Sequence, residues 1–437
     1  MKFSKNTIFI FEFVSGGGFA NVNIPTSLFC EGFGMLRSII SDFKALDFEV
    51  YTMLDYRVLF LLRFLHANEI RKVKKSDNYV KIFKNLVDIC KYIFIIAPET
   101  SNILLKLTKI AKKRGKIVLS TNLNAIKISS SKIINYKIFK KNNILTPKTF
   151  RIPYRRTWLD TNFIIHKFRE LKCPIVIKPE DGVGAESVHY FEKESQILDF
   201  FMDFNAKLGK RRKYILQEFV EGRDLSISLI GSPYLYLNPT ILSVNSQNVN
   251  IKQLESEYLG GCTPIENLSE IIKKLYTIIE KLNNLKIEGY FGIDFIENHN
   301  YSFNFIEINP RLTTSYIGLR NILNFNCAEL IFDTKFKNIS DLAIKIQNHS
   351  CFTRIDFSHN NIEDMELPHE EPISKLMKLI PEFITPPISL NDPNKYSCFI
   401  ATKTKDLISS KTRLKKIIQI IENLNFNVIK PIKTKLL

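Results

Sequence analysis

The sequence predicts an α/β chain: an N-terminal parallel sheet with crossover helices, then hairpin-rich α+β segments. Three observations lead there. Apolar runs of strand length alternate with segments of helical period up to about residue 127. From about residue 128 the pattern changes to strand–glycine–strand units and one long hairpin. The chain has 437 residues, too many for one compact core, which implies roughly two to four domains.

Taken in order, "TIFIFEFV" (7–14) is the first strand and empties into Ser15-Gly16-Gly17-Gly18. The triplet half resembles the G-x-G-x-x-G dinucleotide loop. Asn21 occupies its third position, where a small residue is needed for helix–strand packing. "EGFGMLRSIISDFKAL" (31–46) has helical spacing, and "FEVYTML" (48–54) is a strand followed by Asp55 and Arg57. "YIFIIAP" (92–98) is a buried strand, "SNILLKLTKIAKKRG" (101–115) a helix with a glycine stop, and "KIVLS" (116–120) a further strand. In parallel sheets ligands gather at the carboxyl ends of strands. Gly16 to Gly18, Asp55 to Arg57 and Pro98 to Thr100 all fall at such ends. "SSSKIINYKIFKKNNILTPKTF" is a helix closing in a turn at Asn142-Asn143. "CPIVIKPEDGVGAESVHYF" (173–191) is strand, glycine loop, strand, and "YILQEFVEGRDLSISLI" (214–230) is two strands with a turn between. "YFGIDFIENHNYSFNFIEINPRLTTSY" (290–316) is a β-hairpin, and the last hundred or so residues mix short strands with an amphipathic helix near 411–423.

Bulk composition excludes more than it assigns. Lys and Arg number 62 against 44 Asp and Glu, a net charge of +18. That charge is scattered, and clusters such as "RKVKKS" and "KRRK" read as solvated surface, so no nucleic-acid partner is expected. No apolar run reaches the ~18 residues of a membrane helix, so no membrane partner is expected either. Glu12 interrupts the N-terminal apolar run and no small-x-small site follows, so it reads as a strand, not a signal peptide. The seven cysteines are widely spaced and odd in number, which suggests free thiols in a reducing cytoplasm. The histidines form no zinc pattern.

The chemistry concentrates in two places. On the hairpin, Asp294 lies on one strand, while Glu307 and Asn309, two apart, share a face of the other. Three oxygen-bearing side chains in otherwise apolar strands are costly unless something pairs them, and hard cations such as Mg²⁺ take such ligands. A solvent-facing hairpin edge is the plain alternative. Upstream, Lys178 ends an apolar strand before Pro179 and a Gly182-x-Gly184 loop, a place where a lysine and backbone N–H groups can meet phosphate. No G-K-[ST] follows, so this is not a Walker loop.

Lys132, Lys178-Pro179 with its glycine loop, Glu218-x-x-x-Gly222-x-Asp224, Asp294, and Glu307-x-Asn309-Pro310-Arg311, in that order, resemble the ATP-grasp superfamily of carboxylate–amine ligases. The resemblance implies an N-terminal domain (about 1–127), an ATP-grasp domain whose two α+β subdomains clasp ATP (128–330) and a C-terminal α+β extension (331–437). It implies that Lys132 and Lys178 contact ATP phosphates. Glu218 and the backbone of Phe219 and Val220 would bracket adenine, and Asp224 would hold the ribose. Asp294, Glu307 and Asn309 would bind Mg²⁺ or Mn²⁺, as two ions, and Arg311 would steady the transferred phosphoryl group. Ser131 stands before Lys132 where many members carry Asp.

"FEFVSGGG", "EGFGMLRSIISDF", "LDYR", "APET", "LSVNSQ", "YLGGCTP" and "EINPRLTTSYIGLR" resemble a narrower subgroup, the tyramine–L-glutamate ligases of methanofuran biosynthesis and their relatives. By that resemblance the partners are a small-molecule acid and amine, joined through an acyl phosphate. Gly16, Gly17, Gly18, Asn245, Gln247, Thr313, Thr314 and Ser315 would line the substrate pocket; for Thr313 to Ser315 the plain alternative is a helix N-cap. For glutamate, Arg37 or Arg57 could meet the α-carboxylate and Glu12 or Glu99 the ammonium. For tyramine, Phe19, Tyr258 or Tyr316 could supply an aromatic slot. Self-association as a homodimer is left open. Two rivals remain: another amino-acid or carboxylase-like ATP-grasp enzyme, and a basic nucleic-acid-binding protein.

Overall fold

The computed structural model describes residues 6–182, 187–207, 212–233, 238–252, 256–337, 344–359 and 370–429. The first strand, Thr7–Glu12, takes the centre of a five-stranded parallel sheet. The order across it is Glu69–Val73, Glu49–Asp55, Thr7–Glu12, Tyr92–Ile96, Ile117–Val118. Ile8 to Phe11 and Ile93 to Ile95 are fully buried, as both-face coverage by helices requires of parallel strands. The connection reverses direction between the first strand and Tyr92–Ile96, so a crevice opens at their carboxyl ends. Glu12, Phe13 and Val14 line it from one strand end, and Ile96 to Glu99 from the other.

The strand Glu69–Val73 had no signal in the sequence. It is an edge strand carrying Arg71 and Lys72 outward, the kind of charged edge that resists further pairing. The first helix runs Thr26–Lys44, starting directly after Pro25 and earlier than its apolar period indicates.

Two antiparallel sheets follow. One has the order His189–Phe191, Ile175–Pro179, Tyr214–Glu218, Thr149–Arg151; the other, Thr240–Ser246, Arg223–Gly231, Gly289–Glu297, Phe303–Asn309. The strands around Gly222 therefore belong to different sheets, and the chain passes from one to the other there. A last sheet joins Gly260–Thr263, Ser350–His359, Lys395–Ala401 and Phe383–Ile388, with Phe426–Val428 added on Ser350–His359. Gly260–Thr263 comes from the middle segment, so this sheet crosses the boundary expected near residue 330. It also docks on the first helix: Thr385 Oγ1 donates to the Cys30 carbonyl at 2.6 Å, and Arg37 Nη1 donates to the carbonyls of Phe383 and Ile384 at 2.9 and 2.7 Å.

The expectation that every cysteine is a free thiol is corrected here. Cys262 and Cys351 face each other in register across neighbouring strands and form a disulfide, their Cα atoms 4.1 Å apart. They are 89 residues apart in sequence, so spacing carried no trace of the pairing.

The glycine loop is also placed otherwise than expected. Val14–Gly18 forms one tight turn. Gly16 backs onto the Phe11 ring and Gly18 onto Phe13, while Gly17, at φ 93°, would set a Cβ 2.6 Å from Val73. The triplet exists to let this turn lie flat on the core. The cleft is lined instead by its neighbours Glu12, Phe13, Val14 and Phe19. Gly17→Ala should accordingly cost about 2–4 kcal/mol, from overpacking plus a left-handed backbone. Denaturant melts of the full chain would read this, and the surviving folded fraction should keep its ATP turnover.

Candidate active site

The two carboxylates of the hairpin meet. Asp294 on Gly289–Glu297 pairs directly with Glu307 on Phe303–Asn309, so both side chains leave the same face. Asn309 Nδ2 donates to Asp294 Oδ2 at 2.8 Å, and Gln247 Nε2 donates to Asp294 Oδ1 at 3.0 Å. Lys132 Nζ lies 2.6 Å from Glu307 Oε2. Burial and the neighbouring Glu307 push the Asp294 carboxyl up to about 7. Burial pulls Glu307 the same way, but Lys132 and Lys178 outweigh it and hold that carboxyl below its ordinary value. Near neutral pH Asp294 is thus only partly ionised, while Glu307 carries its charge. Among the described residues no three His, Cys, Asp or Glu side chains gather as a metal cluster. Two carboxylates with the amide oxygen of Asn309 nevertheless fit a hard divalent cation whose remaining ligands come from phosphate and water.

Lys178 projects into the same cleft from Ile175–Pro179, and burial lowers its ammonium to about 8. Lys132 is as buried as Lys178 and is already engaged. Besides Glu307 it donates to the Gly182 carbonyl at 2.7 Å, which ties the hairpin to the start of the glycine loop. Gly184 lies outside the described residues. Ser131 is explained locally: it caps the helix Lys132–Lys141 and donates to Glu180 Oε1 at 2.6 Å. Glu180 in turn takes both Nε and Nη2 of Arg151. Glu218, Phe219, Val220 and Asp224 line the cleft along the crossing between the two antiparallel sheets.

Of the residues expected at the substrate, Thr313, Thr314 and Ser315 line the cleft. Ser315 makes no capping bond to the helix Tyr316–Ile322. Thr313 shares hydrogen bonds of 3.0 Å with Tyr290 and 2.8 Å with Ser315, and Thr314 donates to Glu31 Oε2 at 3.1 Å. Gln247 joins the metal-type group through Asp294. Asn245 does not reach the cleft: it is fully buried, donates to Ser226 and Ser228, and accepts from Thr263 Oγ1 at 2.6 Å. Arg37 is spent on the last sheet. Arg57 is held by Asp55 and by the carbonyls of Phe19 and Val22. The Tyr316 hydroxyl donates to Asp42 at 2.7 Å in the core. Phe19 and Tyr258 do line the cleft, as does Glu12, whose carboxylate accepts from Val14 N, Ser15 N and Ser15 Oγ.

Sequence reasoning missed Arg354. It comes from the last sheet with its side chain 5% exposed, 3.2 Å from Asp356, 3.6 Å from Glu257 and 3.9 Å from Glu31. All four line the cleft, which measures about 1980 Å³. Glu31, Glu257 and the strand carrying Arg354 and Asp356 lie far apart in the chain, and nothing in their local sequence distinguishes them.

A family description of the ATP-grasp domain matches residues 129–315, and one of the pre-ATP-grasp domain matches 48–126. The chain belongs to the ATP-grasp superfamily and is an ADP-forming carbon–nitrogen ligase. Its relatives include the tyramine–L-glutamate ligase of Methanocaldococcus fervens, 28% identical over 78% of this chain and 97% of that one. The enzyme of the same name from Methanocaldococcus jannaschii is 27% identical over 78% and 92%. A biotin carboxylase from Campylobacter jejuni, solved with a nucleotide, shares the fold at TM-score 0.67 and 15% identity, covering 95% of this chain and 91% of that one. That likeness extends over the last sheet, which is therefore part of a recurrent architecture. ATP-grasp enzymes use ATP with divalent metal ions. No helix among the described residues is long and apolar enough to cross a membrane.

The raised Asp294 carboxyl has a signed consequence for stability. Between its unfolded value near 4 and about 7 the folded state holds the extra proton, so this group's contribution falls as pH rises through that window. Above about 7 the full penalty of a second buried charge remains. Asp294→Asn should therefore raise the melting temperature of the metal-free protein at pH 8, have little effect near pH 4.5, and remove any shift that added Mg²⁺ produces in the native chain. Thermal melts at both pH values, with and without Mg²⁺, test this.

Proposed function

We propose that this ligase activates a carboxylate with ATP and couples it to a primary amine, with glutamate and tyramine as the acid and amine. The observation that carries the reading is the convergence of Lys178, Arg311 and the Asp294–Glu307–Asn309 group on a single cleft. A substrate carboxylate oxygen attacks the γ-phosphorus of ATP, the bond to the β-phosphate oxygen breaks, and ADP leaves. The amine then attacks the acyl phosphate, loses a proton and expels inorganic phosphate. The chemistry is phosphoryl positioning and charge stabilisation, so no protein nucleophile is needed.

Asp294, Glu307 and Asn309 would hold Mg²⁺, two ions when the nucleotide is bound, and these would neutralise phosphate charge. Lys178 meets the phosphates, and nucleotide binding should restore the full charge that burial weakens. Lys132 would meet them only by leaving Glu307. Glu218 with Phe219 and Val220 would bracket adenine and Asp224 the ribose. Beyond the phosphate end, Thr313, Thr314 and Ser315 offer hydroxyls to the acid. Glu12, Glu31, Glu257 and Asp356 surround that end with carboxylates suited to ammonium groups. Arg354 replaces Arg37 and Arg57 as the guanidinium for an α-carboxylate. Phe19 and Tyr258 offer aromatic surface to a phenol ring. Similarity to the two tyramine–L-glutamate ligases supports this pair.

ADP release with an array of acids and amines tests the reading. Glutamate plus tyramine should give the fastest turnover, and each alone a small fraction of it. A faster pair replaces this substrate assignment, and no stimulation by any pair overturns the ligase reading. Lys178→Ala should lower turnover by about 10²-fold or more, as expected on losing a charge that meets the transition state.

A further inference from the structure

We infer that Glu99, from the first domain, is a positioning residue that aims Arg311 at the transferred phosphoryl group. The inference rests on the reading above only in that ATP is cleaved at its γ-phosphate.

Glu99 sits in the loop that leaves strand Tyr92–Ile96. Its two carboxylate oxygens accept from Arg311 Nε at 3.1 and 3.3 Å, with both side chains largely buried at the cleft wall. Arg311 Nη1 donates to the Leu312 carbonyl at 3.1 Å. These bonds hold the guanidinium at Nε and Nη1 and leave Nη2 without a protein partner among the described residues. Arg311 follows Asn309 by two residues, and its guanidinium, held at Nε and Nη1, lies within reach of the charges of Glu307 and Asp294. A flexible arginine there would instead collapse onto Asp294 or Glu307, whose charge already reaches it.

The same loop grips the other half of the nucleotide site. Ser101 N donates to Asp181 Oδ2 at 3.1 Å, one residue before the Gly182 carbonyl that holds Lys132. To do so, Ser101 and Asn102 both adopt left-handed backbone, φ 52° and 59°. Non-glycine residues in that region cost about 1–3 kcal/mol each and persist where the surroundings demand the geometry. Bonds from Asn102 N to the Glu99 carbonyl and from Leu104 N to the Pro98 carbonyl brace the loop from within. One short segment, Pro98 to Asn102, therefore connects the glycine-loop sheet to the arginine that follows the hairpin. An ordinary interdomain ion pair would explain the Glu99–Arg311 contact but not the second grip on Asp181.

The test uses ADP release by the full chain without amine, so that it does not depend on the amine's identity. Glu99→Ala should lower kcat about 10- to 100-fold, as misplacing a catalytic group by about 1 Å does, with KM for ATP changed less than about threefold. Arg311→Ala should lose at least as much, and adding Glu99→Ala to it should cost less than about threefold more. Glu99→Gln keeps an acceptor for Nε and should fall between Glu99→Ala and the native chain. It also serves if Glu99→Ala fails to fold. A raised KM with unchanged kcat, additive losses in the double variant, or full activity in both Glu99 variants would overturn the inference and leave the ligase reading intact. A native chain that binds ATP without ever releasing ADP would overturn both.

Discussion

Two carboxylates facing each other in a buried hairpin are the constraint around which the rest is arranged. Each ion removed from water costs several kcal/mol even after relaxation, and like charges side by side add to it. Nothing in the folding of the hairpin itself needs Asp294 and Glu307. Their cost is offset from four directions: Lys132 from the helix after Ser131, Lys178 from the glycine-loop sheet, the amides of Asn309 and Gln247, and the guanidinium of Arg311. Lys132, Lys178 and Gln247 each tie the hairpin to another element. The site and the domain interfaces are therefore one electrostatic object, and Arg311 carries the connection on to Glu99 in the first domain.

What was legible in the sequence follows from how local each signal is. Asp294, Glu307 and Asn309 were readable because period-2 alternation fixes which residues share a face once the hairpin turn is found. Lys178 was readable because it terminates an apolar strand before a glycine loop. Gln247 was placed with the substrate, although strand pairing sends it to Asp294, and Asn245, two residues earlier, was lost to a buried hydroxyl network. The glycine triplet at a strand end marked a loop but not which side of it faces ligand; Phe11, Phe13 and Val73 decide that. Arg37, Arg57 and Tyr316 have the right chemistry, yet carbonyls and carboxylates of the core claim them. Contacts such as Glu99–Arg311 and Cys262–Cys351 join residues far apart in the chain, and a single sequence holds no record of them.

The last sheet illustrates the same limit on a larger scale. Read along the chain, residues beyond 330 look appended. In space, one of that sheet's strands comes from Gly260–Thr263, and Phe352, Ile388 and Phe399 belong to the same apolar core as the first parallel sheet. Gly34 allows the first helix to lie against Ile317 and Thr385 at once. A chain segment that shares its core with the first domain and a strand with the second cannot be removed without exposing both. Its strand Ser350–His359 then delivers Arg354 and Asp356 to the cleft wall.

Charge is distributed unevenly along that cleft. At the hairpin, Lys132, Lys178 and Arg311 stand against the carboxyls of Asp294, Glu307 and Glu99, of which Asp294 is only partly ionised near neutral pH. Farther along, Arg354 is paired with three carboxylates, Glu31, Glu257 and Asp356, a local excess of negative charge in a protein whose net charge is +18. The global charge thus says nothing about the cleft, because the surplus lysines lie on the solvated surface, where screening over about 10 Å removes their influence. Inside, where screening is weak, local pairing decides. The near end carries at least as much positive as negative charge, a field suited to a polyanion arriving with its cations. The far end keeps an unbalanced negative field that an incoming ammonium group would relieve. The two ends therefore favour different partners, and Arg311, held by Glu99 beside the hairpin, stands on the nucleotide side of that division.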